Sequence, residues 1–239
     1  MGICILPQEI VVPSSGPPKG KTLDEYSWEE ISYISSNGLA GEYGFAVGDE
    51  KNITLSTDET LTLAIMGFDH DDLADGTGKA GITFGMKNLM ASARQMNSSN
   101  TNSGGFTGSA MYAWLQNTLL PTLPSDLQAV LKSVNKKTSA GSQSSTINTN
   151  AMKVFLFSEI EIFGSTTCSA AGEGEQYDYF ATAANRIKYL SNGDGSADRW
   201  WERSPYASYS NYFCLVASDG DASYSHANNS RCVCFGFCV

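Results

Sequence analysis

The last part of the chain, residues 198–239, reads DRWWERSPYASYSNYFCLVASDGDASYSHANNSRCVCFGFCV and decides how we interpret the fold. At its end, apolar positions alternate with small ones: Val233, Phe235, Phe237 and Val239 against Cys232, Cys234, Gly236 and Cys238. This two-residue period predicts a strand that is buried on both faces. A stretch of polar residues lies between Trp200-Trp201 and this final strand. We therefore expect a permissive polar segment held between two rigid apolar ends.

That polar segment, residues 206–231, is built mostly from Tyr, Ser, Asn, Asp, Ala and Gly, and it contains no Lys, Glu, Gln, Met or Trp. The composition is typical of a paratope, in which Tyr gives contact area at low entropy cost and small polar residues give adaptable hydrogen bonds. A hairpin with ordinary polar loops has a similar composition, so both interpretations stay open. The predicted ligand-binding residues are Glu202, Tyr206, Ser208, Tyr209, Asn211, Tyr212, Leu215, Ala217, Asp219, Asp221, Ser223, Tyr224, His226, Asn228, Asn229 and Arg231.

Composition limits the functional classes. The chain has 239 residues, 41% of them hydrophobic, which is ample for a sizeable core. Its net charge is -10 and it has no basic cluster, which argues against nucleic-acid binding and against anionic membranes. No apolar run approaches the length of a membrane span, and residues 1–7 lack the basic region of a secretory signal. We expect synthesis in the cytoplasm without a signal peptide and no membrane insertion.

Local patterns predict an α+β protein with small antiparallel sheets and two to three helices. We expect an extended arm over residues 1–24, followed by one domain over residues 25–239. A capping box of Ser27 and Glu30 predicts the first helix. The second helix has Met111, Trp114, Leu115 and Leu119 on one face and ends at Pro121, and the third opens with a capping box of Ser125 and Gln128.

Strands and loops follow from alternation and polarity. Residues 52–55 and 60–66 predict a hairpin, and residues 153–163 (KVFLFSEIEIF) predict a central strand. Residues 135–150 are rich in Ser and Thr and predict a long surface loop with a tendency to disorder.

The sequence carries little support for catalysis. Glu159 and Glu161 would share one face of the predicted strand, where a carboxylate pair suggests a glycosidase but is more often the solvated side. The acidic loop at residues 69–76 fails the EF-hand spacing, so we interpret it as solvated turn chemistry and predict no metal or cofactor. We predict that the protein is not an enzyme.

The six cysteines are expected to be buried free thiols. A disulfide between Cys214 and one of the three later cysteines stays open. Zinc is disfavoured because the chain contains no CxxC pair.

A series of short motifs resembles a known family. The motifs are, in order, Trp28 with 31–35 (ISYIS), 48–49 (GD), 67–71 (GFDHD), 81–84 (GITF), 96–97 (MN), 104–106 (GGF), 114–115 (WL), 156–159 (LFSE), 200–205 (WWERSP) and 235–239 (FGFCV). Over residues 25–239 the chain resembles phage and prophage domains with a C-type-lectin-like fold of the formylglycine-generating-enzyme type. Some of these are variable proteins of diversity-generating retroelements.

The resemblance implies a function. In such systems a reverse transcriptase copies a template with adenine-directed errors into the C-terminal coding repeat, and AAC-type codons then never yield Lys, Glu, Gln, Met or Trp. Residues 206–231 fit that filter, whereas Glu202 departs from it. The chain lacks the glutamate-proline-asparagine and tryptophan-asparagine-aspartate signatures of sugar-binding C-type lectins, so the resemblance does not imply calcium-dependent sugar binding. It does not imply the catalytic thiols of the formylglycine-generating enzyme either.

By resemblance we expect a virion protein of a phage tail that binds a host cell-surface receptor, either a protein or a glycan. Its arm would contact other tail proteins, and whether it forms a homo-oligomer is left open. The alternatives are a structural virion subunit with a fixed C-terminal interface and, ranked last, an enzyme acting on cell-surface glycan.

Overall fold

A computed structural model describes residues 16–193 and 195–239. It has five short α-helices: α1 (Trp28–Ser36), α2 (Ala110–Trp114), α3 (Ser125–Val130), α4 (Glu159–Phe163) and α5 (Asp178–Ala181). The strands are β1 (Glu50–Thr54), β2 (Thr60–Phe68), β3 (Ile82–Met86), β4 (Arg94–Gln95), β5 (Val134–Ser139), β6 (Ile147–Met152), β7 (Val154–Leu156), β8 (Trp200–Pro205), β9 (Tyr212–Val216), β10 (Ala222–His226), β11 (Ser230–Arg231) and β12 (Phe235–Cys238). Helices and small antiparallel sheets confirm the α+β class.

The last strand is central, as its alternation predicts. The main sheet has the order β1-β2-β3-β12-β7 with antiparallel neighbours, so β12 lies between β3 and β7. Every residue of β12 is buried, although the strand begins at Phe235 rather than at residue 232. Gly236 and Gly85 face each other in the register, and a Cβ at either would lie within 2.7 Å of the Phe157 ring. Glycine is required there because an aromatic ring crosses the sheet at van der Waals distance.

Helix α1 covers this sheet. The predicted capping box of Ser27 and Glu30 is present. The indole of Trp28 makes edge contacts with Phe84 and Phe237, at centroid distances of 5.2 and 5.8 Å. The predicted hairpin is also confirmed as β1 and β2.

Trp200 and Trp201 hold the polar C-terminal segment to the core. They lie in β8 at one edge of a three-stranded sheet of order β10-β9-β8. The Trp200 indole donates to the Arg186 carbonyl at 3.0 Å, and the Trp201 indole donates to the Arg94 carbonyl at 2.8 Å. Both side chains are fully buried, so they fix the frame on which residues 206–231 are mounted.

Residues 135–150 were expected to be one surface loop, and that prediction is wrong. Most of them form the antiparallel hairpin of β5 and β6, which leaves residues 140–146 as the connection. Strand β5 looks polar because it buries Lys136 and Thr138, so hydrophobic alternation does not reveal it. Lys136 can carry its charge in the interior because buried carboxylates lie next to its ammonium group.

Residues 153–163 were expected to be a single strand, which is also wrong. Strand β7 ends at Leu156, and Ser158 then caps helix α4 in a capping box with Glu161. The S-x-x-E spacing was present in the sequence, but the apolar run that contains it favoured a strand. Helix α3, by contrast, lacks the predicted capping box, since its N-cap is Pro124.

The second helix continues beyond α2 with the expected face. A π-helical turn, Leu115–Leu119, follows α2, and a 3-10 turn, Leu120–Thr122, contains Pro121. Met111, Leu115 and Leu119 are buried and Trp114 is half-buried. None of the helices within residues 16–193 and 195–239 has the length and apolarity that a membrane crossing requires.

Most of the predicted arm, residues 1–15, lies outside the described residues, and so does Cys4. Where the description begins, the chain contacts its own domain: the hydroxyls of Tyr43 and Tyr26 donate to the carbonyls of Pro17 and Pro18. The cysteines that follow are buried, and Cys168, Cys214, Cys234 and Cys238 are free thiols, as expected.

Candidate ligand-binding surface

Five rings from the polar segment form one continuous cluster, which we call the tyrosine surface: Tyr206, Tyr209, Tyr212, Tyr224 and His226. Tyr206 stacks on Tyr209 at 5.5 Å and meets Tyr224 at 4.6 Å. Tyr212 lies at the centre, with edge contacts to Tyr206, Tyr209 and Tyr224. It also stacks on His226 at 4.3 Å. Each aromatic pair contributes about 0.5–1.5 kcal/mol beyond its buried area, so the rings hold one another in place before any ligand arrives.

The outer rings of this surface are open to solvent. Tyr209 is 54% exposed and Tyr224 is 47% exposed, and they belong to the small set of large apolar side chains that the described residues expose. Tyr206, Tyr212 and His226 are half-buried. Rigid rings that are exposed and already stacked supply contact area at little entropic cost.

Buried Asn102 supports the tyrosine surface from behind. Its amide nitrogen donates to the carbonyls of Tyr209 and Tyr212, both at 2.9 Å, and reaches that of Tyr206 at 3.5 Å. Its amide oxygen accepts from the Ser142 backbone at 2.7 Å. One fully buried side chain thus ties three backbone carbonyls of this segment to the domain.

Two further side chains from outside the polar segment complete this support. Gln143 donates to the Ser208 carbonyl at 2.9 Å, and Asn100 lies 2.8 Å from Nδ1 of His226. With Nδ1 accepting from the Asn100 amide, the neutral imidazole carries its proton on Nε2, which is 3.2 Å from the Tyr212 hydroxyl. The sequence predicted none of these three supporting side chains. Asn100 and Asn102 lie more than a hundred residues from the residues that they hold, and Gln143 is also distant from Ser208.

The remaining predicted contacts lie at different places along the β9–β10 hairpin. The turn with Ala217, Asp219 and Asp221 is at the end of the hairpin opposite to Tyr212 and His226. Ser223 follows in β10, and Asn211 lies next to the tyrosine surface. Asn228 and Asn229 belong to the turn after β10, where Asn229 and Arg231 both donate to the Ser225 hydroxyl.

Two predicted contact residues lie in the interior, and for them the expectation of a surface position is wrong. Leu215 is 1% exposed and pairs with Trp201 across β8 and β9. Strand β9 is the middle strand of its sheet and is covered on both faces from Phe213 onward, so alternation no longer separates surface from core there. Glu202 is fully buried and belongs to the frame.

The family model that matches this chain covers residues 80–237 and is described as a domain of unknown function, DUF6273. The chain belongs to the DUF6273 family. The matched range runs from just before β3 to Phe237 within β12, and it contains the tyrosine surface together with Asn100, Asn102 and Gln143. No curated protein matches the chain. No solved structure matches it either.

The interior of the protein contains a chain of buried charges. Lys136 Nζ lies 2.6 Å from both Asp71 Oδ1 and Glu161 Oε1, and Arg203 forms a bidentate pair with Glu161. All four side chains are at most 4% exposed. Asp71 therefore is not part of a solvated turn, and Glu161 is not on the solvated side of a strand.

This charge cluster fixes the protonation states of its carboxylates. Burial by itself would raise the pKa of Asp71, but Lys136 holds that pKa well below its usual range. Burial likewise opposes ionisation of Glu161, while Arg203 and Lys136 lower its pKa. Glu159 is also buried, and its carboxylate accepts from the backbone of Cys168 and Ser169. Within the described residues, no group of three His, Cys, Asp or Glu side chains could hold a metal ion.

Glu202 is the exception in this interior. Both of its carboxylate oxygens are buried without a hydrogen-bond partner. Burial, and then the neighbouring charge of Glu159, raise its pKa well above the usual range. Burial also raises the pKa of nearby Glu173 to about 7, against the hydrogen bond from Ser204 and the charge of Arg203. The protein thus keeps an uncompensated carboxyl group within β8, the frame strand that leads into the polar segment.

Proposed function

We propose that the protein is a ligand-binding domain that recognises its partner through the tyrosine surface. The observation that carries this proposal is the exposed cluster of stacked rings, held by Asn102, Gln143 and Asn100 from behind. Binding sites are enriched in Tyr because its ring is large, rigid and amphipathic. The exposed Ser208 and Asn228 near this cluster supply adaptable polar contacts.

The biological setting in this proposal follows from the family resemblance of the sequence motifs. The domain has a C-type-lectin-like fold, and its partner is a receptor on a host cell. The protein belongs to the tail of a phage or a related virion, where the N-terminal arm contacts other tail proteins. A retroelement diversifies residues 206–231. The α+β architecture and the location of the polar segment on one hairpin and its flanking loops support this proposal.

Host adsorption of virions that carry variant proteins tests the proposal. Replacing Tyr209 and Tyr224 by Ala removes the two exposed rings, so adsorption should be lost. The double variant should still unfold in one cooperative thermal transition, because both rings are exposed and the buried core is unchanged, so the loss of stability is confined to their ring contacts. Tyr189→Ala is the matched control, because Tyr189 is 51% exposed and lies outside the tyrosine surface. Equal adsorption of the double variant and the control would refute the proposed role.

The neighbouring DNA tests the retroelement separately. We expect a near-copy of the region encoding residues 206–231, differing chiefly at template adenines, beside a reverse-transcriptase gene. Without such a repeat the tyrosine surface would be a fixed binding site, and the adsorption experiment would still decide whether it binds.

A further inference from the structure

A groove beside β4 is lined by a single charged side chain, Arg94. The groove has a volume of about 350 Å³ and lies between β4 and α2. Gln95, Asn97, Ser98 and Ser230 line it with amides or hydroxyls, and Met111 and Trp114 line it as well. None of the lining residues carries a carboxylate. We call it the arginine groove.

Arg94 has no ionic partner in the described part of the chain. Its guanidinium carbon lies 4.0 Å from the centroid of the Trp114 ring. The ion pairs among the described residues do not include Arg94. Burial is the sole cause that lowers its pKa, with no carboxylate acting in the opposite direction. The guanidinium is therefore fixed by an aromatic ring while its N–H donors stay available.

A second arginine reinforces this uncompensated charge. Arg231 is the register partner of Arg94 in the β11–β4 pair. Its guanidinium donates to Ser230 and Ser225 and to no carboxylate among the described residues. Like charges directly opposite on neighbouring strands are destabilising. The chain has 25 acidic against 15 basic residues, so acidic partners are abundant elsewhere. Stability alone does not account for this arrangement.

A second cavity lies on the other side of the Arg94–Trp114 pair. It has a volume of about 320 Å³, and both residues of the pair line it. Glu59 also lines it, but Glu59 Oε1 accepts from the Ala91 backbone at 2.8 Å and from the Ser191 hydroxyl at 2.6 Å. Glu59 is thus bound to the distant segments of Ala91 and Ser191, and its carboxylate forms no ion pair with Arg94.

We infer that the arginine groove binds a sugar ring that carries a carboxylate, such as a uronic acid. The planar fork of a guanidinium matches a carboxylate with two parallel hydrogen bonds. The Gln95 amide nitrogen donates to the Asn228 carbonyl, which leaves its amide oxygen for a ligand. This oxygen and the hydroxyls of Ser98 and Ser230 suit the hydroxyls of a sugar, and Met111 offers an apolar wall. A volume of about 350 Å³ is at the lower end of the range for small-ligand sites, which fits one sugar unit.

This inference goes beyond the tyrosine surface and does not depend on it. Ser230 belongs to the polar segment, but the charged residue and the aromatic platform come from β4 and α2. The groove would therefore keep its anion specificity when the tyrosine surface changes.

Calorimetric titration of the full chain with glucuronate tests the inference, with glucose as the neutral sugar and N-acetylglutamate as a carboxylate without a sugar ring. Glucuronate should bind saturably and more tightly than either of the others, and added salt should weaken it. Arg94→Gln should lower the affinity about tenfold or more, because it removes charge-assisted hydrogen bonds.

Arg199→Gln is the matched control, since Arg199 is exposed and lies outside the groove. Tyr209→Ala should leave glucuronate binding unchanged, which separates this inference from the proposed function. Glucuronate binding that is absent, or unaffected by Arg94→Gln, would refute the site. Equal binding of N-acetylglutamate would refute the sugar class.

Discussion

The tyrosine surface and the charge cluster are both networks of polar side chains, but they are stabilised in opposite ways. The rings of the tyrosine surface are partly open to solvent and touch one another within a short segment of sequence. The charge cluster joins Asp71, Lys136, Glu161 and Arg203, which are far apart in sequence and shielded from water. The loss of one exposed ring leaves the other rings solvated, whereas the loss of one buried charge leaves its partner unpaired. Stability should therefore depend on the cluster and recognition on the surface.

The largest effect is expected at Arg203, on the cluster side of this comparison. Arg203→Met leaves Glu161 buried with one of its two cationic partners removed. Removing one partner of a buried ion pair costs about 3–5 kcal/mol, and Arg203 also donates to the carbonyls of Leu156, Lys137 and Glu173. Urea unfolding measures this change, with Arg199→Met as the exposed control. A loss below about 1 kcal/mol would show that the cluster does not determine stability.

The second effect concerns Glu202, whose replacement should raise the free energy of unfolding instead of lowering it. A carboxyl group whose pKa is higher in the folded than in the unfolded state stabilises the fold below the unfolded pKa, and that contribution is lost as the pH rises towards the folded pKa. Glu202→Gln removes this dependence. The variant should match the wild type near pH 4 and become the more stable protein as the pH rises, with a limiting slope of about 1.4 kcal/mol per pH unit while only the folded state keeps Glu202 protonated.

Urea unfolding of both proteins at matched pH values measures the difference between them, so the titration of the other carboxylates largely cancels. Glu175→Gln is the control, since Glu175 is not fully buried. A difference that stays constant between pH 4 and pH 7 would contradict the raised pKa of Glu202.

The smallest of the three stability effects is expected at Asn102, where the two regions meet. Asn102→Ala leaves the carbonyls of Tyr209 and Tyr212 without their common donor, which costs about 1–3 kcal/mol for a buried group. The affinity for the ligand should fall as well, because the backbone that carries the rings is no longer held in one conformation. Hydrogen exchange of residues 206–212 should quicken while that of β12 stays slow. Uniform quickening across both would show that Asn102 supports the whole domain instead.

The sequence predicted the parts of the fold in which one short pattern decides the structure. The capping box at Ser27 located α1, and the alternation after Cys232 placed the last strand in the centre of a sheet. Local pattern and final environment agree at these places. The composition of residues 206–231 predicted tyrosine contacts on this segment, but not that the rings stack on one another.

The sequence failed where burial depends on distant partners. Lys136 made β5 look like a loop, because a lysine is accepted in a core only when carboxylates meet it, and those lie at Asp71 and Glu161. Glu202 was included among the predicted ligand-binding residues, and no local pattern in the sequence indicates that it is buried. The support by Asn102 could not be predicted either, since it joins residues about a hundred positions apart.

The manner in which Asn102 holds the loop has a consequence for evolution. Its amide nitrogen donates to the main-chain carbonyls of Tyr206, Tyr209 and Tyr212 and forms no hydrogen bond with their side chains. Every amino acid offers the same carbonyl. The path of the loop is therefore independent of the side chains displayed at these three positions, and substitutions there change the chemistry offered to a partner without a change in the shape that offers it. A single asparagine makes this part of the molecule tolerant of variation.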